Sequence, residues 1–352
     1  MTDQQTLNFG LVGCGRIAPR HAQSLAELPQ ASLKAVVDIV PSRAERFGKE
    51  YGAETYTDYH RLLERSDIDV VNICTPSGLH AQMAIDAMQA GKHVIVEKPM
   101  AIRLEDADRM IVTAKETGKK LCIVLQNRYN PPMIEMQHAL RAGKLGRLLL
   151  GSATVRWFRP QDYYEDEWHG RRDMDGGALM NQSIHHIDAL QWMMGDEVES
   201  VFSFTGTLAH RMESEDTGVA VIKFKNGAMA SVEGSTITYP QNLEGSVAVF
   251  GEKGSIKVGG TALNRKVFWK VEGELEQEKE MLTREQLDPP SVYGFSHRSV
   301  MQDMIDAILT DRQPATNGLE GRKSVALVLA MYRSAETGQP VRMVEDGWHK
   351  SD

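Results

Sequence analysis

The first half of the chain alternates short apolar runs with segments in which apolar residues recur every three to four positions. Runs of the first kind are typical of buried strands, and segments of the second kind are typical of amphipathic helices. The predicted strands are Leu7–Val12, Leu33–Asp38, Asp69–Cys74, Val94–Val96 and Lys119–Gln126, and the predicted helices are approximately Ala18–Leu28, Asp58–Glu64, His80–Ala90 and Arg103–Thr117. Strands that alternate with helices in this way predict a parallel, doubly wound sheet.

After Arg128 the pattern changes to apolar runs that follow one another closely and are joined by turns. The predicted strands are Leu148–Phe158, Val198–Leu208, Gly218–Phe224, Met229–Ile237, Val247–Phe250, Ile256–Val258 and Val267–Val271, with helices at Met133–Ala142, Gly177–Met194, His297–Leu309 and Leu319–Glu336. Asn226-Gly227 predicts a hairpin turn. Short strands joined by turns indicate a large, mostly antiparallel open sheet. We therefore expect an α/β domain in residues 1–127 and an α+β domain in residues 128–352.

Composition and charge exclude several classes of protein. At 352 residues, with 41% hydrophobic and 25% charged residues, the chain is long enough for two folded domains and is not typical of a disordered protein. A net charge of −8 argues against a nucleic-acid partner, which would need a basic face. No apolar run is long enough to span a bilayer, and the polar segment Met1–Thr6 does not resemble a signal peptide. A cytoplasmic protein without membrane contacts is therefore expected.

The cysteines and histidines do not suggest a metal centre. Cys14, Cys74 and Cys122 are widely spaced and lie in apolar runs, which is typical of reduced, buried thiols. No spacing of cysteine or histidine matches a zinc site, so no metal is expected.

A glycine-rich turn follows the first predicted strand. Gly13-Cys14-Gly15-Arg16-Ile17-Ala18 has the Gly-x-Gly-x-x-Ala spacing that lets backbone approach a pyrophosphate at a helix N-terminus. The next predicted strand ends at Asp38, 20 residues after Ala18, where a dinucleotide-binding fold places a carboxylate on the adenine ribose. A carboxylate there would repel a 2′-phosphate, so we predict NAD rather than NADP, with Arg43 as the feature that favours NADP. The alternative is an ordinary glycine turn with Asp38 as a loop cap.

Two further stretches carry candidate catalytic residues. The run Val94–Val96 leads into Glu97-Lys98-Pro99, and the carboxyl end of a buried parallel strand is where open sheets bind ligands. The predicted helix after Gly177 carries Asn181, His185 and Asp188 at i, i+4 and i+7, within about 40° of one another. The alternatives are a solvated strand-end lysine and a hydrogen-bonded core histidine, with Gln182 and His186 forming a second i, i+4 pair.

Taken in order, these motifs resemble a known family. The chain resembles the glucose–fructose oxidoreductase / inositol dehydrogenase / rhizopine catabolism superfamily over nearly its whole length. The motifs that carry the resemblance are Gly13-x-Gly15-x-x-Ala18, Thr75-Pro76 with His80, Glu97-Lys98-Pro99 and Gly176-Gly177-x-Leu179-x-Asn181-x-x-x-His185-x-x-Asp188. The resemblance implies an N-terminal Rossmann domain that binds NAD, and a second domain for substrate binding and oligomerisation. It also implies that Lys98 and His185 face the substrate hydroxyl, Lys98 as the group that stabilises its oxygen and His185 as the base.

The same resemblance implies the cofactor-binding residues. They are Gly13, Gly15, Arg16, Ile17, Asp38, Thr75, Pro76, His80, Glu97 and Lys98. The chain departs from the family at two positions, because Asn181 stands where the family usually has Asp and Ser183 stands where it usually has Gly. Asn181 cannot ionise, so the resemblance does not extend to a carboxylate at that position.

A narrower resemblance is carried by Gln126-Asn127-Arg128-Tyr129-Asn130-Pro131, Arg156-Trp157-Phe158-Arg159-Pro160-Gln161 and the segment 174–182. These look like the branch that oxidises the 3-hydroxyl of UDP-N-acetylglucosaminuronate in bacterial surface-polysaccharide biosynthesis, where 2-oxoglutarate can reoxidise the bound cofactor. The substrate-binding residues that this implies are Asn127, Arg128, Arg156, Arg159, Gln161 and Asn181. Arginines suit an anionic substrate, but a solvated face of mixed charge explains them equally well, because acidic residues lie among them.

Three functional interpretations follow. The first is an NAD-dependent dehydrogenase for a nucleotide sugar, and the second is a dehydrogenase of the same superfamily for inositol or a free sugar. The third is a non-catalytic NAD(H) sensor, which would not need Lys98 and His185 together. A broad sheet with little helical cover on one face also predicts a homo-dimer or homo-tetramer.

Overall fold

The computed structural model describes residues 6–195, 197–273, 294, 296–343 and 348. Its contacts divide the chain into two compact units, one of residues 1–125 with 296–322 and one of residues 126–295 with 323–352. The sequence places the boundary after residue 127 and assigns 296–322 to the second domain, whereas these residues pack with the first unit. The sequence predicts that the polar segment Met1–Thr6 is not a signal peptide. Residues Met1–Gln5 of that segment lie outside the described residues.

The first unit is built on a six-stranded parallel sheet of order β3-β2-β1-β4-β5-β6. Its strands are β1 (Leu7–Val12), β2 (Ala31–Val37), β3 (Glu54–Tyr56), β4 (Val70–Ile73), β5 (His93–Val96) and β6 (Leu121–Ile123). Its first five helices are α1 (Ala18–Ala26), α2 (Pro41–Tyr51), α3 (Tyr59–Leu63), α4 (His80–Gln89) and α5 (Leu104–Thr117). The parallel, doubly wound sheet predicted from the sequence is confirmed.

Helix α2 and strand β3 are elements that the hydrophobic pattern did not predict. The buried positions of α2 are Ala44, Phe47 and Gly48, of which only Phe47 is large. A Cβ on Gly48 would lie 2.3 Å from a methyl group of Thr55, so α2 packs closely on β3 through a residue without a side chain. The apolar periodicity of α2 is therefore hidden by small and charged residues.

The register of the parallel sheet brings three candidate segments to one edge. Val12 pairs with Ile73, and Ile73 pairs with Val96, so β1, β4 and β5 end at the same level. The glycine-rich turn, the Thr75 loop and Glu97-Lys98 follow these three strand ends directly. The sheet therefore collects them at its carboxyl edge, as the sequence predicted.

The second unit is built on an eight-stranded sheet of order β13-β12-β11-β7-β10-β9-β8-β14. Its strands are β7 (Leu148–Arg156), β8 (Val198–Gly206), β9 (Thr217–Phe224), β10 (Met229–Ser235), β11 (Glu244–Gly251), β12 (Gly254–Gly259), β13 (Arg265–Val271) and β14 (Val341–Arg342). Only β7 and β10 pair in parallel among these described strands, so the mostly antiparallel sheet is confirmed. The hairpin turn at Asn226-Gly227 is also confirmed, with Gly227 at φ +87°.

Of the four helices that follow α5 in the described residues, three lie close to their predicted positions and one is only part of the predicted helix. The helices that follow α5 are α6 (Pro131–Arg141), α7 (Ile184–Met194), α8 (His297–Leu309) and α9 (Gly318–Thr337). The single helix predicted from Gly177 to Met194 is divided into a π-helical turn, Ala178–Gln182, and the α-helix α7. In the described part of the chain, no helix has both the length and the apolar character that crossing a bilayer requires.

Helix α7 packs on one face of the eight-stranded sheet through glycine. A Cβ on Gly151 of β7 would lie 2.8 Å from side-chain atoms of both Leu190 and Met194. Side chains alternate along β7, so the residues on the Gly151 face are buried, whereas Arg156 points to the opposite face. The two faces of β7 therefore carry different groups, which matters for the placement of the candidate site residues.

Candidate active site

The glycine-rich turn has the geometry that a dinucleotide requires. Gly13 has φ +94°, and a Cβ there would lie 2.7 Å from the backbone oxygen of Cys74, so a side chain is excluded. A Cβ on Gly15 would meet nothing within 4 Å, which leaves space against the turn. Helix α1 begins at Ala18, so the positive end of its dipole lies beside the turn, although Pro19 has no N–H and the Arg20 N–H donates to the carbonyl oxygen of Ile17 at 2.9 Å. The turn therefore fits a pyrophosphate.

Asp38 lies beside this turn. Its side chain is buried, one oxygen accepts the backbone N–H of Cys14 at 2.8 Å and the other accepts that of Val40 at 2.8 Å. A carboxylate oxygen has two lone pairs, so each can accept a ribose hydroxyl as well. Arg16 and Ile17, the other predicted residues of the turn, are exposed and half-buried respectively.

His80 connects two loops at the carboxyl edge. Its Nδ1 lies 2.8 Å from the carbonyl oxygen of Pro99, and its Nε2 lies 2.9 Å from that of Thr75. Burial lowers the pKa of His80, although its two carbonyl neighbours favour the protonated ring. Both ring nitrogens thus face backbone carbonyl oxygens, so His80 connects the Thr75-Pro76 loop to the Pro99 loop.

Glu97 is buried in a cluster with two histidines that the sequence did not indicate. Its Oε1 lies 2.9 Å from Nε2 of His21 in α1 and 3.7 Å from Nε2 of His297 in α8. Burial alone would raise the pKa of Glu97, but the interactions with the two histidines, led by the His21 hydrogen bond, outweigh it and hold the pKa well below its usual range. The second carboxylate oxygen accepts the backbone N–H of Lys98 at 3.1 Å.

The backbone of Lys98 is therefore held in place by its hydrogen bond to the Glu97 carboxylate. The side chain of Lys98 is half-buried, and its position after β5 is the one that the sequence predicted. His21, Glu97 and His297 bring three potential metal ligands together, but the carboxylate already binds His21 and the Lys98 N–H group. The hydrogen-bonded part of the cluster is therefore His21, Glu97 and the Lys98 N–H, whereas Nε2 of His297 lies beyond hydrogen-bond distance of the carboxylate.

In the second unit, the π-helical turn and α7 carry the other candidate residues. Asn181 lies on the π turn, where the Ser183 N–H donates to the Ala178 carbonyl, five residues back. His185 lies in the first turn of α7 and Asp188 in the next. The predicted stripe on one uninterrupted helix is therefore wrong in its geometry, because the helix changes type between Asn181 and His185.

His185 has a neutral hydrogen-bonding neighbour. The side-chain nitrogen of Gln126 lies 3.3 Å from Nε2 of His185, and Gln126 is buried. While the Gln126 amide donates to Nε2 it occupies the lone pair of that nitrogen, so a substrate hydroxyl has to displace Gln126 before Nε2 can accept its proton. His186, the alternative histidine, is fully buried and packs edge-on against Trp157, and its burial lowers its pKa to about 4.

The predicted substrate-binding residue Arg159 is held by neutral groups. One guanidinium nitrogen donates to Oε1 of Gln182 at 2.7 Å, and another donates to the carbonyl oxygen of Phe158 at 2.7 Å. The guanidinium carbon lies 5.2 and 5.6 Å from the ring centroids of Trp157 and Tyr163. No carboxylate of the described residues lies within ion-pair distance of Arg159. Its positive charge is thus uncompensated, next to the turn that carries Asn181.

Arg156 is separated from this group by the sheet. It lies on the face of β7 opposite α7 and forms ion pairs with Glu233, at 2.6 Å, and Glu244, at 3.2 Å. These carboxylates raise the pKa of Arg156 and compensate its charge. The structure therefore brings Arg159 together with the π turn but does not bring Arg156 there.

The other predicted substrate-binding residues are anchored within the second unit. Arg128 forms a buried, bidentate ion pair with Asp188 at 2.8 and 2.7 Å, so it ties the loop after β6 to α7. Asn127 is buried in the same loop, and Gln161 accepts the N–H group and donates to the carbonyl oxygen of Arg211. Arg128 and Gln161 thus shape the surroundings of α7 and of Arg159.

Two buried acids near the π turn were not found from the sequence. Glu215 accepts the N–H of Leu179 at 2.8 Å and the hydroxyl of Tyr332 at 2.9 Å, and burial raises its pKa to about 7. Asp175 accepts the side-chain amide of Asn181 at 2.5 Å. Their sequence neighbourhood, rich in exposed charges, gave no sign that these two carboxylates are buried.

Two family models match most of the chain. One, described as an oxidoreductase family with an NAD-binding Rossmann fold, matches residues 7–125. The other, described as the C-terminal alpha/beta domain of the same oxidoreductase family, matches residues 137–343. The glycine-rich turn and Asp38 fall within the first match, and α7 with the π turn falls within the second.

Solved structures and characterised relatives resemble the chain over nearly its whole length. The WlbA dehydrogenase of Bordetella pertussis, crystallised with NADH and UDP-GlcNAcA, is 41% identical with a TM-score of 0.90, covering 97% of this chain and 99% of that one. The WlbA dehydrogenase of Chromobacterium violaceum, with the same ligands, is 39% identical with a TM-score of 0.88 and 97% coverage of each. The myo-inositol 2-dehydrogenase of Thermotoga maritima is 28% identical over 96% of this chain and 99% of its own.

Proposed function

The chain belongs to this family of NAD-dependent sugar oxidoreductases, and from that premise we propose that it oxidises the 3-hydroxyl of UDP-N-acetylglucosaminuronate. The observation that carries the proposal is the pair of WlbA structures, which contain both NADH and UDP-GlcNAcA. Their identities of 41% and 39% are higher than the 28% of the inositol dehydrogenase. The position of the oxidised hydroxyl comes from the resemblance of the segments 126–131, 156–161 and 174–182 to that branch.

The chemistry that this substrate requires can be assigned to two side chains. NAD, when bound, accepts the hydride from the ring carbon. His185 removes the proton of the same hydroxyl once the substrate has taken the place of the Gln126 amide at Nε2. Lys98 stabilises the negative charge that develops on the oxygen, and the Glu97 cluster holds its backbone.

The charge of Arg159 supports an anionic substrate. A carboxylate or diphosphate group gains a charge-assisted hydrogen bond from a guanidinium that is not already paired. Arg159 meets this condition within the described residues, whereas Arg156 is paired with two carboxylates. Inositol has no charged group and would leave Arg159 without such a contact.

An inositol dehydrogenase is the second candidate, and it rests on the relatives. The Thermotoga maritima enzyme and the inositol 2-dehydrogenase of Rhizobium meliloti, 26% identical over 94% of this chain, both act on a cyclic polyol according to their names. Lys98 and His185 would serve an inositol hydroxyl in the same way.

The substrate test compares the two candidates directly. The purified protein, with added NAD, is incubated with UDP-N-acetylglucosaminuronate or with myo-inositol, each with and without 2-oxoglutarate, and NADH and sugar products are measured. Oxidation of the nucleotide sugar is expected, with turnover increased by 2-oxoglutarate if that acid reoxidises the cofactor. Oxidation of inositol alone would reject the nucleotide-sugar proposal and favour the second candidate.

Two further parts of the proposal concern the biological setting and assembly. A 3-keto nucleotide sugar would serve the synthesis of a bacterial surface polysaccharide such as lipopolysaccharide. The face of the sheet opposite α7 exposes apolar side chains, among them Leu150, Phe204, Val219, Val221 and Met229. Such a face is typical of a subunit interface, so we expect a homo-dimer or homo-tetramer, to be measured by light scattering.

A further inference from the structure

The acid that the family usually carries at position 181 is absent here, but a carboxylate lies directly behind that position. Asp175 is 1% exposed, and its Oδ1 accepts the side-chain N–H of Asn181 at 2.5 Å. Its Oδ2 accepts the backbone N–H of Gly170 at 2.8 Å. The carboxylate thus connects the loop before Gly176-Gly177 to the π turn that precedes His185.

This contact determines which way the Asn181 amide faces. An ionised carboxylate only accepts hydrogen bonds, so the group that faces it must be the NH₂ of the amide and not its oxygen. The amide oxygen of Asn181 is therefore directed away from Asp175. An aspartate at position 181 and this asparagine therefore share one feature, which is an acceptor oxygen on the side that faces away from Asp175.

The same contact explains why aspartate does not suit position 181 in this chain. A second carboxylate at hydrogen-bond distance from Asp175 could ionise only at a large cost, because two like charges in a buried site raise the pKa of one of them. Asparagine keeps the shape and the outward acceptor but replaces the repelling oxygen with a donor.

We propose that Asp175 is a positioning residue of the dehydrogenase: by holding the Asn181 amide, it directs the Asn181 oxygen as an acceptor towards the substrate. This inference rests on the proposed function, and it adds a residue to which neither the sequence motifs nor the relatives assign a role. Asp175 itself does not touch the reacting atoms. It acts through Asn181, and the two side chains form one functional pair.

The pair can be tested by exchanging its two members. In Asp175→Asn, the new amide still accepts from Gly170, and Asn181 can turn its oxygen towards the new NH₂ group. We expect the thermal midpoint to change little but single-turnover reduction of NAD by UDP-N-acetylglucosaminuronate to slow by about 10- to 100-fold, because the acceptor now faces the wrong way. Asn181→Asp should also slow the reaction, and its midpoint should fall as the pH rises from 5 to 8, since a shared proton is then lost.

The exchanged double variant, Asp175→Asn with Asn181→Asp, carries the decisive prediction. The amide introduced at position 175 donates to the carboxylate introduced at position 181, and the second oxygen of that carboxylate faces outward. The rate should therefore return to within about threefold of the wild type. Asp173→Asn, the same change at an exposed acid two residues away, is the control and should leave rate and midpoint unchanged. A purely structural Asp175 would not produce a recovery of rate on exchange.

The outcomes separate this inference from the proposed function. A wild-type rate in Asp175→Asn, or a double variant no faster than either single variant, would overturn the positioning role. If Asp175→Asn does not fold, the comparison of the double variant with Asn181→Asp decides the question. A midpoint of Asn181→Asp that does not depend on pH would overturn the pairing itself, whereas a wild-type protein that reduces NAD with neither nucleotide sugar nor inositol would overturn the proposed function.

Discussion

His21 donates a hydrogen bond from Nε2 to the carboxylate of Glu97 across 2.9 Å. The side-chain nitrogen of Asn72 lies 3.4 Å from Nδ1 of His21, so Nδ1 accepts and the proton is on Nε2. Glu97 also accepts the N–H group of Lys98. One buried carboxylate thus joins α1, the helix that follows the glycine-rich turn, to the strand end that carries the candidate catalytic lysine.

Glu97→Gln should therefore weaken catalysis and stability together. The amide retains an acceptor for Lys98 but presents an NH₂ group to the His21 donor, so one buried hydrogen bond is lost at a cost of about 1–3 kcal/mol. We expect hydride transfer to slow by about 10- to 100-fold while dinucleotide binding is retained. Single-turnover kinetics and urea unfolding measure the two effects, with the exposed Glu45→Gln as the control.

The pH dependence of this variant has a defined sign. The pKa of Glu97 is held below its ordinary value, so its contribution to stability is present above that value and is lost as the pH falls through the lowered pKa. Glu97→Gln should consequently lose less stability than the wild type between about pH 4.5 and the acid unfolding region. Equal acid sensitivity of the two proteins would contradict the role assigned to the cluster.

The parts of the fold that depend on local hydrophobic patterns and turn residues could be predicted from the sequence. The Val94–Val96 run and the glycine-rich turn place Lys98 and Gly13 at the same sheet edge, because parallel strands have only one carboxyl edge. The helix α2 was missed because its packing uses Gly48, and the π turn was missed because local periodicity does not reveal a change of helix type. The sequence could not show that residues 296–322 pack with the first unit, because the packing of α8 with α1 is a long-range contact.

The candidate site could be predicted only as a set of residue types. Lys98, His185 and Arg159 were found from motifs, but their supporting partners come from distant parts of the chain. His297 is 200 residues from Glu97, and Glu215 is 36 residues from Leu179, so no local spacing could reveal either contact. Arg156 and Arg159 look equivalent in sequence, and only their contacts in the structure distinguish them: Arg156 pairs with two glutamates, whereas Arg159 is held by neutral groups.

His186 should make the protein sensitive to mild acid. Burial lowers its pKa to about 4 from an ordinary value of 6.5, so the folded protein binds fewer protons than the unfolded one between these pH values. Its contribution to stability is complete above pH 6.5 and decreases as the pH falls, by about 1.4 kcal/mol per unit. His186→Leu should flatten this slope in urea unfolding, whereas His138→Leu, at an exposed histidine, should not.

The Arg128–Asp188 pair should matter for stability. Both side chains are buried, so Asp188→Ala leaves the guanidinium without its bidentate partner at a cost of about 3–5 kcal/mol. Arg61→Ala, which removes an exposed ion pair with Glu64, should cost less than about 1 kcal/mol. Unfolding free energies in urea decide between these values, and equal losses would show that the buried pair contributes no more than the exposed one.

Arg159→Ala should weaken binding of the nucleotide sugar more than any step after binding. Loss of a charge-assisted hydrogen bond to an anion costs about 1.5–3 kcal/mol, so KM should rise by about 10- to 100-fold with a smaller change in kcat. Arg156→Ala should have the smaller effect, because two glutamates already compensate its charge. Arg147→Ala, at an exposed position in another ion pair, is the control. A larger KM effect at Arg156 would reverse the assignment.

Lys98 and His185 should act on the same hydroxyl. Lys98→Met retains much of the side chain and removes the charge, and His185→Asn removes the base. Each should slow hydride transfer by about two to four orders of magnitude, because each contributes to the removal of one proton in the transition state. Dinucleotide binding should be retained, since the glycine-rich turn and Asp38 are unchanged. His138→Asn, at an exposed histidine, is the matched control.

The double variant tests whether the two groups work as one unit. If both act on one hydroxyl, removing the second group should cost less once the first is gone, so the two free-energy effects should not add. Single-turnover reduction of NAD by the nucleotide sugar measures all four proteins on the same step. A wild-type rate in His185→Asn would exclude His185 as the base. His186 would be a poor replacement, because its buried ring has a pKa of about 4 and is therefore a weak base near neutral pH.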